Sequence, residues 1–208
     1  MISTIIQCLI IAVITYFIGN ISPATILGKI YKVDIREAGS KNPGTTNVIR
    51  VLGLKAGLIT LLIDLLKGFI SVNVGFKVAG FYGGIVGFAA VVLGHCYPFL
   101  YKFKGGKGVA TTFGAAIAIS WPSAMVAFIV AIIVLYKTGK MSLGSIASAI
   151  AFPVLILFYT PEYFLFSLFV AAFLLIQHIP NIKRLKAGEE SSIDIKEKIK
   201  EMKNKNNE

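Results

Sequence analysis

Residues Val109 to Tyr136 read VATTFGAAIAISWPSAMVAFIVAIIVLY, and whether this run is one helix or two decides the fold. The interruption is Trp121-Pro122-Ser123. The parts on either side, Val109–Trp121 and Pro122–Tyr136, are short. A helix of about twelve residues reaches only about 18 Å, against a hydrocarbon core of about 30 Å. Length therefore argues for one long kinked helix. The charges around the run argue for two.

Working outward, the other apolar runs are Thr4–Ile21, Gly57–Val74, a glycine-rich Ala79–Leu93, Leu143–Tyr159 and Tyr163–Gln177. If Val109–Tyr136 is two spans, one side of the membrane holds Lys29, Lys32, Arg36, Lys41, Arg50, Lys55, Lys102, Lys104, Lys107, Lys137, Lys140 and the basic residues from Lys183 onward. That is 19 of the 21 lysines and arginines, with Lys77 opposite and Lys67 inside a span. If it is one span, everything after Tyr136 changes sides and the split becomes 9 against 11. The positive-inside rule selects the first arrangement. The expectation is an all-α integral membrane protein of seven transmembrane helices, some short, with its N-terminus outside and its C-terminus cytoplasmic. Residues 1–187 form one transmembrane catalytic domain, and 188–208 are a charged cytoplasmic tail.

Composition agrees. The chain has 208 residues, 56% hydrophobic and only 15% charged, where soluble domains carry about 25% charged residues. No basic segment precedes the first apolar run, so that run reads as a span and not as a cleaved signal. The net charge of +11 is a topogenic signal in such a chain and gives no reason to expect nucleic acid as a partner. Cys8 and Cys96 are too far apart in sequence and context to suggest a disulfide framework or a metal site. No metal ligand set and no cofactor motif is legible.

Three loops on the inner side are unusually polar. The first is Gly39-Ser-Lys-Asn-Pro-Gly-Thr-Thr-Asn47, followed by Arg50. The second runs from Gly94-His95-Cys-Tyr-Pro-Phe99 into Lys104-Gly-Gly-Lys-Gly108 at the start of an apolar helix. The third is His178-Ile-Pro-Asn-Ile-Lys-Arg184. Glycine loops, lysines and a helix N-terminus suit an anion, above all a phosphate, and Arg50 can grip one with two parallel bonds. Ser40, Asn42, Thr45, Thr46 and Asn47 add neutral polar groups. A positive-inside loop that simply turns the chain reads equally well from the second segment alone. Nucleotide motifs do not fit: Tyr101 occupies the first glycine position of a P-loop, and no strand precedes the glycines. His95 and His178 lie at span boundaries, with no carboxylate at a spacing that suggests a triad. Asp64 and Lys67, three residues apart inside a span, share a helical face and read as an ion pair.

Those three loops, with Asp64-Leu-Leu-Lys-Gly68 as a further match, resemble the motifs of the PlsY family, in order and over nearly the whole chain. These are bacterial acyl-phosphate:glycerol-3-phosphate acyltransferases. The resemblance implies a seven-helix enzyme of the bacterial inner membrane. It acts on the cytoplasmic face and moves a fatty acyl group from acyl phosphate to the 1-hydroxyl of glycerol 3-phosphate, giving lysophosphatidic acid. It implies substrate contacts from Ser40, Asn42, Thr46, Asn47, Arg50, His95, Lys104, Gly105, Gly106, Lys107 and Gly108. His178, Asn181, Ser40 and Lys104 are the expected catalytic residues. Its partners would be the two substrates and membrane lipid, and the chain would act as a monomer. Lys41 and Thr45 depart from the glycine and alanine common in the family. Gly188-Glu-Glu-Ser departs from its Gly-Thr-Glu, so Glu190 is left out of the expected site.

Acyl phosphate is already activated, so such an enzyme needs chiefly to hold two phosphorylated molecules together. With no carboxylate-oriented base legible, a substrate phosphate is the preferred proton acceptor over His178 or His95. The acyl chain would lie between helices or against lipid, with Gly80, Gly83, Gly84 and Gly87 allowing close approach, although helix packing explains these glycines equally well. The competing class is an anion transporter. It would place polar groups near the midplane and commonly show internal repeats, whereas here the polar groups gather at one face.

Overall fold

The computed structural model describes residues 2–192, and all regular structure among them is helical. Helix α1 spans Ile2–Asn20 and stops at a cap. The Ser22 hydroxyl accepts from the Thr25 N–H at 3.3 Å, and Pro23 opens α2, Pro23–Ile30, where a missing N–H costs nothing. The first polar loop leads into α3, Thr45–Leu52, and Gly53, at φ 88°, turns the chain into α4, Leu54–Cys96.

α4 is not straight. Ala79 and Gly80 leave helical geometry, Gly80 at φ 58°, a conformation glycine adopts freely. The two arms then pack so closely that a Cβ on Gly75 would lie 2.1 Å from the Gly83 carbonyl oxygen. Gly83, Gly84 and Gly87 all face the other arm, against Gly75, Phe76 and Ser71. Of the two readings of these glycines, helix packing is the one seen at Gly83, Gly84 and Gly87, while Gly80 makes the turn.

The run that decides the fold shows the same device. α5, Val109–Thr138, breaks at Ser120 (φ −153°, ψ 88°), one residue before Trp121-Pro122. The rings of Phe113 and Phe128 stack at 5.1 Å. Fifteen residues of unbroken helix would hold them about 22 Å apart, so the halves fold back on each other. Ser120 and Ser123, both buried, bond to each other at 2.9 Å inside the turn. α6 (Met141–Tyr159), α7 (Phe164–Gln177) and α8 (Ile179–Lys186) complete the bundle.

By length and composition four helical stretches could cross a membrane: Ser3–Ile30, Leu54–Tyr101, Val109–Thr138 and Met141–Tyr159. The bent pair Pro161–Gln177 and Ile179–Lys186 would be a fifth. Their outer faces carry exposed apolar side chains such as Leu9, Phe158, Leu165 and Phe169, a surface suited to lipid rather than water. Inside, Val72, Phe88, Val91, Ala115 and Ile156 are buried in one core.

Candidate active site

The three polar loops converge on one cavity of about 1050 Å³. Asn47 holds the first loop in shape. Its Oδ1 accepts from the Ser40 N–H at 2.8 Å, and its Nδ2 donates to the carbonyls of Ile35 (3.1 Å) and Ala38 (3.0 Å). With its amide spent on the backbone and its side chain buried, Asn47 frames the site. Ser40, Asn42, Thr46 and Arg50 line the cavity around it. Arg50 donates to the Ser191 hydroxyl at 3.0 Å, tying this loop to the segment after α8.

The second loop is laid down on His95 and Cys96. The Gly105 N–H donates to the Cys96 carbonyl and the Gly106 N–H to the His95 carbonyl, at 3.1 and 3.2 Å. Both N–H groups are thus bonded within the protein, and neither glycine lines the cavity. They are glycines because the loop sits against the end of α4: a Cβ on Gly106 would come within 2.4 Å of the His95 Nε2. Lys104 is exposed and does not line the cavity, whereas Lys107 and Gly108 do. Gly108, at φ 82°, caps α5. The N–H groups of the first turn that follows have no carbonyl of their own helix to meet, and Val109 and Ala110 line the cavity.

Lys107 donates to Asn181 Oδ1. Asn181 Nδ2 donates to Glu190 Oε1 at 2.6 Å, and Arg184 Nε to Glu190 Oε2 at 2.8 Å. Burial pushes the Lys107 ammonium down to about 8, and nearby Glu190 works against the shift. Burial also acts on Glu190, but hydrogen bonds from neighbours including Asn181 and Arg184 outweigh it and keep the carboxyl below its usual range. Sequence reasoning left Glu190 out of the site. It and Ser191 fall in the segment expected to be a solvated tail; the rest of that segment, from 193, lies outside the described residues. Only the contacts reveal that the chain turns back onto α8.

His178, between α7 and α8, is buried with Nδ1 2.8 Å from the Leu174 carbonyl. Burial holds its imidazole below the usual range. The expected Asp64–Lys67 ion pair is present at 2.7 Å and gains a third member. His95 Nδ1 lies 2.8 Å from Lys67 Nζ and 3.3 Å from Asp64 Oδ1. Asp64 and His95 both reach the cavity wall.

Away from the loops the same cavity becomes apolar, passing Phe113, Ala116, Ala124, Phe128, Phe152 and Leu174 between α5, α6 and α7. Composition could not have placed this chamber, since its walls meet only once α5 folds back.

Fold and site together define an all-helical membrane protein whose cation-lined mouth opens into an apolar chamber, the shape of a site for amphiphilic, phosphorylated molecules. The family model for glycerol-3-phosphate acyltransferase matches residues 9–188. The glycerol-3-phosphate acyltransferase of Thermoanaerobacter pseudethanolicus (strain ATCC 33223 / 39E) is 43% identical over 91% of this chain and 97% of its own length. That of Alkaliphilus metalliredigens (strain QYMF) is 40% identical over 92% and 98%. Among solved structures, the glycerol 3-phosphate form of PlsY (YgiH), an integral membrane glycerol 3-phosphate acyltransferase, superposes with a TM-score of 0.87 at 33% identity, covering 92% of this chain and 98% of that one. Its lysophosphatidic acid form gives 0.83 at 33% identity, covering 89% and 94%. The chain belongs to the glycerol-3-phosphate acyltransferase family.

Proposed function

We propose that the chain transfers a fatty acyl group from acyl phosphate to the 1-hydroxyl of sn-glycerol 3-phosphate, releasing phosphate and 1-acyl-glycerol 3-phosphate. The observation that carries the reading is the single cavity joining a cationic mouth to an apolar chamber. Both phosphates would lie at the mouth, near Lys107, Arg50 and the first turn of α5, with Ser40, Asn42 and Thr46 as neutral partners. The acyl chain would occupy the chamber between α5, α6 and α7. His178 and Asn181 would flank the reacting centre. Asn47 would act by holding the first loop, and Lys104, exposed outside the cavity, would contribute charge to the approach and no direct contact. Gly105 and Gly106 would serve by letting the loop lie on His95.

The reaction balances without a protein nucleophile. The 1-hydroxyl oxygen bonds to the acyl carbon, and the bond from that carbon to the phosphate oxygen breaks. The departing phosphate takes the hydroxyl proton. Acyl phosphate is an anhydride with a good leaving group, so the protein's share is proximity and stabilisation of developing negative charge.

A topology of seven crossings, with the N-terminus outside and the site on the cytoplasmic face of a bacterial inner membrane, goes with this reading. It is supported by the bends at Ala79–Gly80 and Ser120 and by the 19 of 21 basic residues that such a path gathers on one side. The chain would work as a monomer, since mouth and chamber are both built from one copy.

The test is purified protein incubated with radiolabelled glycerol 3-phosphate and either palmitoyl phosphate or palmitoyl-CoA. Labelled lysophosphatidic acid from the phosphate alone is the expected result. Product from the thioester alone would overturn the choice of donor.

A further inference from the structure

The chain has two histidines, both in the wall of the same cavity, and their Nδ1 atoms meet opposite kinds of partner. His178 Nδ1 lies 2.8 Å from the Leu174 carbonyl oxygen. A carbonyl only accepts, so Nδ1 carries the proton and Nε2 keeps its lone pair. His95 Nδ1 lies 2.8 Å from Lys67 Nζ. Asp64 Oδ1, an acceptor, lies farther from the same atom at 3.3 Å; the shorter contact is to an ammonium, which only donates, so Nδ1 is the acceptor and the proton sits on Nε2. Lys67 is fixed in that role, because its Nζ also reaches Asp64 Oδ1 at 2.7 Å and the carbonyls of Ile21 and Gly19 at 2.8 and 3.1 Å. Three oxygens and the His95 nitrogen thus share its three hydrogens. The far edge of His95 lies against residue 106, where only a glycine leaves room: a Cβ there would come within 2.4 Å of Nε2.

We infer that the two imidazoles are locked in opposite tautomers, His95 offering an N–H and His178 a lone pair to one cavity, with Lys67 as the positioning residue for His95. Resting on the acyltransfer reading above, the two nitrogens take complementary parts. His95 Nε2–H donates to a phosphate or developing carbonyl oxyanion, and His178 Nε2 accepts from the 1-hydroxyl and aims its oxygen at the acyl carbon. The proton itself still leaves with phosphate. Lys67 touches no substrate; it acts only by making His95 a donor.

With two histidines in the chain, tag-free full-length protein labelled with 15N-histidine in lipid nanodiscs gives a spectrum of two rings, assigned with His95→Gln and His178→Gln. The expected wild-type result is one ring protonated at Nδ1 and lost in His178→Gln, and one protonated at Nε2 and lost in His95→Gln. Adding glycerol 3-phosphate should shift the His95 Nε2–H signal. Lys67→Met should move the His95 proton to Nδ1, where Asp64 Oδ1 at 3.3 Å can accept it, leave the His178 ring unchanged, and lower kcat by tenfold or more. His95→Gln, whose amide can still donate from near the Nε2 position, should retain at least tenfold more activity than His95→Asn. Two rings in the same tautomer overturn the inference in wild-type protein, whether or not the Lys67 variant folds. So does His95→Asn matching His95→Gln. Opposite tautomers in protein that transfers no acyl group would overturn the acyltransferase reading and the parts given to the nitrogens, leaving the tautomers themselves supported.

Discussion

Lys107 lies in the cavity wall and Lys67 behind it, against Asp64 and His95, and the two are solved in opposite ways. Lys67 is sealed inside the bundle, surrounded by Asp64, His95 and two backbone carbonyls, so its hydrogens are spent on the protein. Lys107 lies in a loop, donates to Asn181 alone among the described residues, and has its nearest carboxylate, Glu190, occupied by Asn181 and Arg184. It keeps hydrogens to give. A lysine with every hydrogen placed holds structure together, and one left short of acceptors is built for an anion that comes and goes. Lys67 is buried and Lys107 only half-buried, and their acceptor counts differ as well.

The largest way to break this comparison is Asp64→Asn, which leaves a buried ammonium without its counter-charge. Uncompensated buried charges cost about 3–5 kcal/mol, so thermal unfolding in detergent should show a steep loss of stability. An unchanged Tm would mean Lys67 needs no anion. Next comes Lys107→Ala. It should reduce kcat/KM by about a hundredfold or more, the scale for losing a charge-stabilising donor, while Tm and membrane insertion hold. A fall in Tm with turnover preserved would put Lys107 with Lys67 among the structural lysines.

A pH profile sharpens the contrast. With its ammonium held at about 8, Lys107 is charged below that pH and neutral above it, so kcat/KM should fall as pH rises through about 8. Bound phosphate favours the charged form, so the fall in kcat should come at higher pH. Lys107→Arg, which stays charged, should remove this alkaline limb. The smallest expected effect is that of Lys104→Ala. Exposed and outside the cavity, it should change activity by only about twofold, which a substrate titration would detect. A loss matching Lys107→Ala would bring Lys104 back into the site.

The apolar runs were legible in the sequence because membrane spans need long uncharged stretches, and the polar loops because simple turns do not need so many amides, hydroxyls and cations. The Asp64–Lys67 pair was legible from spacing alone. What escaped depends on contacts between segments distant in sequence. Glu190 sits in a charged stretch that looks solvated until Asn181 and Arg184 reach it. The glycines at 83, 84 and 87 suit an open groove and helix packing equally well until the first arm of α4 fills them. Gly105 and Gly106 look like an anion nest until their N–H groups are seen bonded to α4. The break at Ser120 was foreshadowed by Trp121-Pro122, but local chemistry alone left one kinked helix and two short ones equally open. The stacking of Phe113 on Phe128 shows that the two halves fold back on each other.

The central claim is that both substrates occupy one cavity at once and the acyl group passes directly between them. Initial rates measured over a grid of palmitoyl phosphate and glycerol 3-phosphate concentrations test it most directly. Direct transfer predicts intersecting double-reciprocal lines, and no label on protein incubated with radiolabelled palmitoyl phosphate alone. Parallel lines with a trapped acyl-enzyme would contradict it.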